Sequence, residues 1–156
     1  MAMDEPGTPD RPSRVLVVDD NVQNLELLVE YCESIGLATT RAVDGLEALE
    51  VVNQLKPDLI LLDIMMPRMS GFEVCQKLKS DPGTRDIPII MVTALNEMGD
   101  IERAVEAGTD DFLSKPVNRL ELVTRVRTLL KLRHLRDELD RTLAYLHDLE
   151  SAKPSE

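Results

Sequence analysis

Aromatic residues are scarce in this chain: there is no Trp, and two Phe and two Tyr make up 3% of its 156 residues. Any core must therefore be aliphatic, and the 43% apolar content is enough for one domain of that kind but short for two. Basic residues are also in deficit, giving a formal charge of −11. That balance argues against non-specific binding to nucleic acid or to an anionic membrane, both of which need an excess of Lys and Arg. No run approaches the roughly 18 apolar residues of a membrane span. The amino end, MAMDEPGTPDRPS, has no apolar stretch of the kind a signal peptide needs. Only two cysteines occur, Cys32 and Cys75, without CxxC spacing and each within a helical pattern. They read as reduced structural thiols of a cytoplasmic protein.

What is present is an alternation. Residues 1–13, with three prolines among polar residues, read as a disordered leader. From Arg14 short apolar runs alternate with segments of helical period. Strands are expected at 14–18, 37–42, 58–62, 87–92 and 110–113. Helices are expected from Val22 to a stop near Gly36, from about Asp44 to Leu55, and over about 71–80 and 97–107. The run DLILL is apolar without alternation, as in a strand covered on both faces. Such a pattern predicts an α/β fold: a doubly wound, parallel, five-stranded sheet.

The last segment differs. From 118 to 150 there is neither Gly nor Pro. Leu120, Val123, Val126 and Leu130 can close a domain spanning 14–131. Beyond it, Leu132, Leu139 and Leu146 repeat every seven residues, with Leu135, Thr142 and Leu149 at the intervening positions. That is a heptad seam of two to three repeats, expected to extend a last helix over 132–150 and to pair chains as a coiled coil or bundle. Residues 151–156 are expected to be a disordered tail.

Five polar positions fall where apolar runs end: Asp19 with Asp20, then Asp63, Thr93 and Lys115, the last followed by Pro116. In a parallel sheet all would gather at the carboxyl ends of the strands, where open α/β sheets bind ligands. Three carboxylates together call for a cation, and hard oxygen ligands suit Mg2+. Asp63 is the candidate nucleophile, its attack on phosphorus giving an acyl phosphate. Asp19 and Asp20 would hold the metal, Lys115 would place a charge on a phosphoryl oxygen, and Thr93 would offer a hydroxyl. Taken singly, Asp19-Asp20 also fits a helix N-cap, and Met65, Met66 and Met69 fit a packing surface better than a cofactor site. His134 and His147 are thirteen apart, which is no metal-ligand spacing on one helix face.

The motifs VVDDN, LLDIMMPRMSG, Thr93-Ala94 and SKP, in this order and spacing, make the chain similar to the response-regulator receiver family of two-component signalling over about 14–131. The resemblance implies a flavodoxin-like (βα)5 fold, phosphorylation of Asp63 by a histidine kinase or phosphotransfer protein, and a cis Lys115-Pro116 peptide. It implies Asp20, Asp63 and the backbone carbonyl of Met65 as Mg2+ ligands, with Asp19 acting through a metal-bound water. Thr93 and Phe112 would form the switch pair, reshaping the face of the fourth helix, fifth strand and fifth helix. A homodimer is expected through the carboxyl-terminal helix, through that face, or through both. Met65 and Leu95 stand at the positions that tune hydrolysis in this family; both are apolar, so a slowly decaying phosphoryl group is expected. The expected role is a phosphoacceptor signalling protein rather than a turnover enzyme. A phosphoaspartyl hydrolase also uses Asp and Mg2+, but Asp63-Ile64-Met65 lacks the second Asp of that class. A structural dimerisation module with a degenerate receiver is disfavoured by the full acidic set.

Overall fold

The computed structural model describes residues 11–94 and 98–152, with the side chains of 98–100 left aside. Strands β1 (Arg14–Val18), β2 (Ala38–Ala42), β3 (Leu59–Asp63), β4 (Ile89–Thr93) and β5 (Asp111–Ser114) alternate with helices α1 (Val22–Glu33), α2 (Gly45–Leu55), α3 (Gly71–Ser80), α4 (Met98–Ala107) and α5 (Arg119–Ala152). All strand pairings are parallel, in the order β2-β1-β3-β4-β5. The predicted doubly wound sheet is therefore found, and the elements lie within two residues of their predicted bounds except at the end of α1. That helix stops at Glu33, three residues before Gly36, because Ile35 and Gly36 turn back onto the carbonyls of Cys32 and Glu33. At the carboxyl end α5 continues two residues past 150, through Ala152.

The central strands show why no alternation appears in their sequences. Along β3, Ile60 and Leu62 enter the layer beneath α2, α3 and α4, while Leu59 and Leu61 enter the layer beneath α1 and α5. Successive side chains point to opposite faces of a sheet, and here both faces are covered. Cys75 belongs to the first layer and Cys32 to the second, both buried and unbridged. Burial pushes their thiols up to about 11 and about 12 respectively, so both are inert, as the sequence suggested.

Local caps set the helix starts. The side chains of Asn21, Asp44 and Ser70 accept from the N–H groups of Asn24, Glu47 and Glu73, each satisfying a donor the helix leaves unpaired. The α1 cap is thus Asn21, which leaves Asp19 and Asp20 for another task. Of the expected leader, residues 1–10 lie outside the described residues. Its end is attached: Ser13 O accepts from Ala38 N at 2.9 Å, and Arg11 meets Asp58 at 3.4 Å.

α5 is two helices in one. Its first part packs Leu122, Val123 and Val126 into the core. Arg133 then donates to the carbonyls of Pro57 and Asp58, just before β3. Since α5 starts at the carboxyl edge of the sheet, this contact marks its departure at the opposite edge. Beyond it, Leu135, Leu139, Leu143, Leu146 and Leu149 are each about half exposed.

Candidate functional site

The chain leaves β1 for β2 on one side and later crosses to β3 on the other, so the β1/β3 carboxyl ends form a crevice at the point of reversal. Asp19 follows β1 directly and Asp63 is the last residue of β3. With Asp20 they bring three carboxylate oxygens within 4.8 Å of one another. Thr93 ends β4, buried, and its carbonyl accepts from Lys115 N at 2.7 Å. That bond closes the β5 end of the site against β4. The Lys115-Pro116 peptide is cis, and it turns the chain away toward α5.

Lys115 Nζ reaches both buried acids, lying 3.3 Å from Asp19 Oδ2 and 3.3 Å from Asp63 Oδ1. Only the Asp63 contact has hydrogen-bond geometry. Asp19 has no exposed surface; its Oδ1 accepts from Asn21 N at 2.9 Å, but its Oδ2 has no hydrogen-bond donor. One lysine is being asked to neutralise two buried carboxylates, a shortfall that is costly in a poorly solvated site. The Asp63 carboxyl records it. Burial first, then repulsion by Asp19, push it up from 3.8 to about 6, against the opposing pull of Lys115 and of the Met65 N–H. The residues thus fit a divalent cation: hard oxygens, excess negative charge and an oxygen lacking a donor.

Met65 stands at the rim, 66% exposed. Phe112 is half-buried against the layer under α2–α4, one residue beyond Asp111. Leu95 lies outside the described residues. His134 sits on α5, 3.6 Å from Glu138, and His147 is exposed farther along the same helix. Neither is part of the site.

One positioning residue is not assigned a role by the sequence reading. A Cβ on Gly71 would collide with the carbonyl oxygen of Asp63 and lie 2.8 Å from Ile64 Cα, while Gly71 N donates to Ile64 O at 2.9 Å. The first turn of α3 is therefore pressed onto the backbone that carries Asp63. The signal was present as the glycine ending LLDIMMPRMSG, but only the fold shows what it approaches.

The profile of the response regulator receiver domain matches residues 15–127. The chain is 45% identical over 127 residues to the response regulator PleD of Caulobacter vibrioides, covering 81% of this chain and 28% of that one. It is 42% identical over 118 residues to the DNA-binding dual master transcriptional regulator RpaA of Synechocystis, covering 76% and 49%. The chain thus spans between about a quarter and a half of these relatives. Among solved structures, the signal receiver domain of a signal transduction histidine kinase from Syntrophus aciditrophicus superposes with a TM-score of 0.73 at 36% identity, over 76% of this chain and 90% of that one. Fold, crevice and sequence agree: the chain belongs to the response-regulator receiver family of two-component signalling.

Proposed function

We propose that this chain accepts a phosphoryl group on Asp63 from a histidine kinase or phosphotransfer protein and thereby switches a protein–protein contact. The observation that carries the proposal is the crowding of Asp19, Asp20 and Asp63 around a single lysine in the β1/β3 crevice. An oxygen of Asp63 attacks phosphorus, the bond from phosphorus to the donor's leaving atom breaks, and an acyl phosphate remains. With its carboxyl near 6, Asp63 is largely ionised at neutral pH and ready to attack. Lys115, already between the two acids, neutralises charge on a phosphoryl oxygen, which is most of what this transfer asks of a protein. A cation such as Mg2+, held by Asp19, Asp20, Asp63 and the Met65 carbonyl, would supply further positive charge to the phosphoryl oxygens.

The Thr93 hydroxyl then reads the new group, and Phe112, half-buried beside β4, follows it inward. The α4-β5-α5 face changes with them, a two-state population shift. Met65 can offer no hydrogen bond to an attacking water, so the phosphoryl group decays slowly. The chain acts as a signalling phosphoacceptor rather than a turnover enzyme. Its charge of −11 disfavours direct contact with nucleic acid; the DNA-binding description belongs to RpaA, of which this chain matches about half. The exposed leucines of α5 provide the surface on which a second copy pairs.

Incubation with acetyl phosphate and Mg2+, read by intact mass, tests the chemistry. One phosphoryl group per chain is expected, lost with EDTA and absent from Asp63→Asn; incorporation persisting in Asp63→Asn would overturn the assignment. Light scattering with and without beryllofluoride, repeated on a chain ending near Leu130, tests the pairing.

A further inference from the structure

We propose, resting on the pairing just described, that two copies of α5 associate antiparallel, so that the two receivers sit at opposite ends of a shared helical rod. At 3.6 residues per turn, Leu122, Val126 and Arg133 lie within about 40° of one another and define the side of α5 that meets its own domain. The seam of Leu132, Leu135, Leu139, Thr142, Leu146 and Leu149 is centred about 150° away from them. The domain therefore cannot cover these leucines, which are between 45% and 57% exposed. Pairing two such stripes would bury on the order of 1,000 Å², near the lower bound of a specific interface. Another copy of the helix, apolar over the same length, is the occupant that matches.

Charge decides the direction. The extension is basic where it leaves the domain (Lys131, Arg133, Arg136), acidic over Asp137, Glu138 and Asp140, and acidic again at Asp148 and Glu150. A parallel pair sets each zone beside its own copy. The residues flanking its seam would then place Lys131 against Arg136 of the other copy, twice, with no attractive pair in return. An antiparallel pair centred between Asp140 and Arg141 layers Leu132 on Leu149, Leu135 on Leu146 and Leu139 on Thr142. Along one flank Arg136 meets Glu150, twice, and Leu143 packs on Leu143; along the other, Glu138 approaches Glu138, the one unfavourable contact. The basic exit of each helix also lies level with the acidic end of the other. Arg136 is 3.2 Å from Asp86 in the single chain, but that pair is exposed and weak, so Arg136 can turn to the seam.

Cysteine cross-linking in the 156-residue chain tests the direction. Leu132→Cys and Leu149→Cys proteins would be oxidised separately, and also after being unfolded and refolded together. Cys32 and Cys75 are buried and stay out of the reaction. The mixture should yield cross-linked dimer at least about tenfold above either variant alone, since only the antiparallel layer brings positions 132 and 149 together. Self-cross-linking by Leu132→Cys alone would overturn the antiparallel direction while leaving pairing intact. A monomeric mass for the unmodified chain, with and without beryllofluoride, would overturn pairing itself. As a second reading, Glu150→Lys should weaken the dimer about fivefold, because it faces Arg136 only in the antiparallel pair; an unchanged dimer would overturn the proposal.

Discussion

Each edge of the sheet holds a lysine against aspartate, and the two are handled in opposite ways. At the amino edge, Lys79 donates to Arg85 O at 3.1 Å, to Ile87 O at 2.9 Å and to Asp110 Oδ2 at 2.8 Å. Asp110 in turn accepts from Ile89 N at 2.7 Å. Each proton of that ammonium has a partner, and one charge faces one charge. At the carboxyl edge, Lys115 faces two carboxylates at 3.3 Å with one hydrogen bond. Saturation makes the first lysine a fastening between α3, β4 and β5. Under-saturation leaves the second able to receive a further oxygen-bearing group.

Changes made at one edge should leave the other untouched. The largest effect is on chemistry: Asp63→Asn should abolish phosphoryl incorporation, whereas Lys79→Met should incorporate at close to the wild-type rate. The order reverses for stability. Lys79→Met strands two carbonyls and a carboxylate and should cost about 2–4 kcal/mol in urea unfolding. Gly71→Ala falls between the edges. Relieving the clash moves α3 off Asp63, and we expect a loss of about 1–3 kcal/mol together with slower phosphorylation. The last effect is similar in size to that of Gly71→Ala and has the opposite sign. The folded Asp63 carboxyl, near 6, holds its proton more tightly than the unfolded one near 3.8. Metal-free stability should therefore be highest below pH 4 as far as this group is concerned, and fall as pH rises from about 4 to about 6. Asp63→Asn removes that burden and should stabilise the metal-free protein at pH 7 by about 1–3 kcal/mol, a gain erased when Mg2+ stabilises the wild type. A destabilised Asp63→Asn would mean that the two edges are not different in kind.

Much of this was readable from residue order. A strand buried on both faces gives an unbroken apolar run, so β1, β3 and β4 announce themselves, and the polar residue that ends each run is placed at the crevice by parallel topology alone. Asn21, Asp44 and Ser70 mark helix starts by side-chain chemistry. Lys79 is different. In the last turn of α3, a lysine in KLKSDPG looks like any solvated helix end, and nothing local shows that three acceptors from α3–β4 and β4–β5 connections converge on it. Gly71 is marked by the motif it ends, but what it meets is hidden for a related reason, because its constraint is a backbone approach across seven residues rather than a side-chain property. The end of the leader, tied to β2 through the Ser13 carbonyl and to Asp58 through the Arg11 side chain, looked too polar to be held, since both partners are distant in sequence.

The course of α5 bears on how the protein can be used. It begins beside Lys115 and leaves past Pro57 and Asp58, so the helix traverses the whole height of the sheet. On the proposed function, a phosphoryl donor would come to one pole, while whatever the exposed part of the helix engages would lie at the other, up to about 28 Å beyond the exit. Loading and engagement of that extension would occupy separate hemispheres. Donor and helix-bound partner would then not need to take turns, and a receiver already bound through its helix could still be charged or discharged in place.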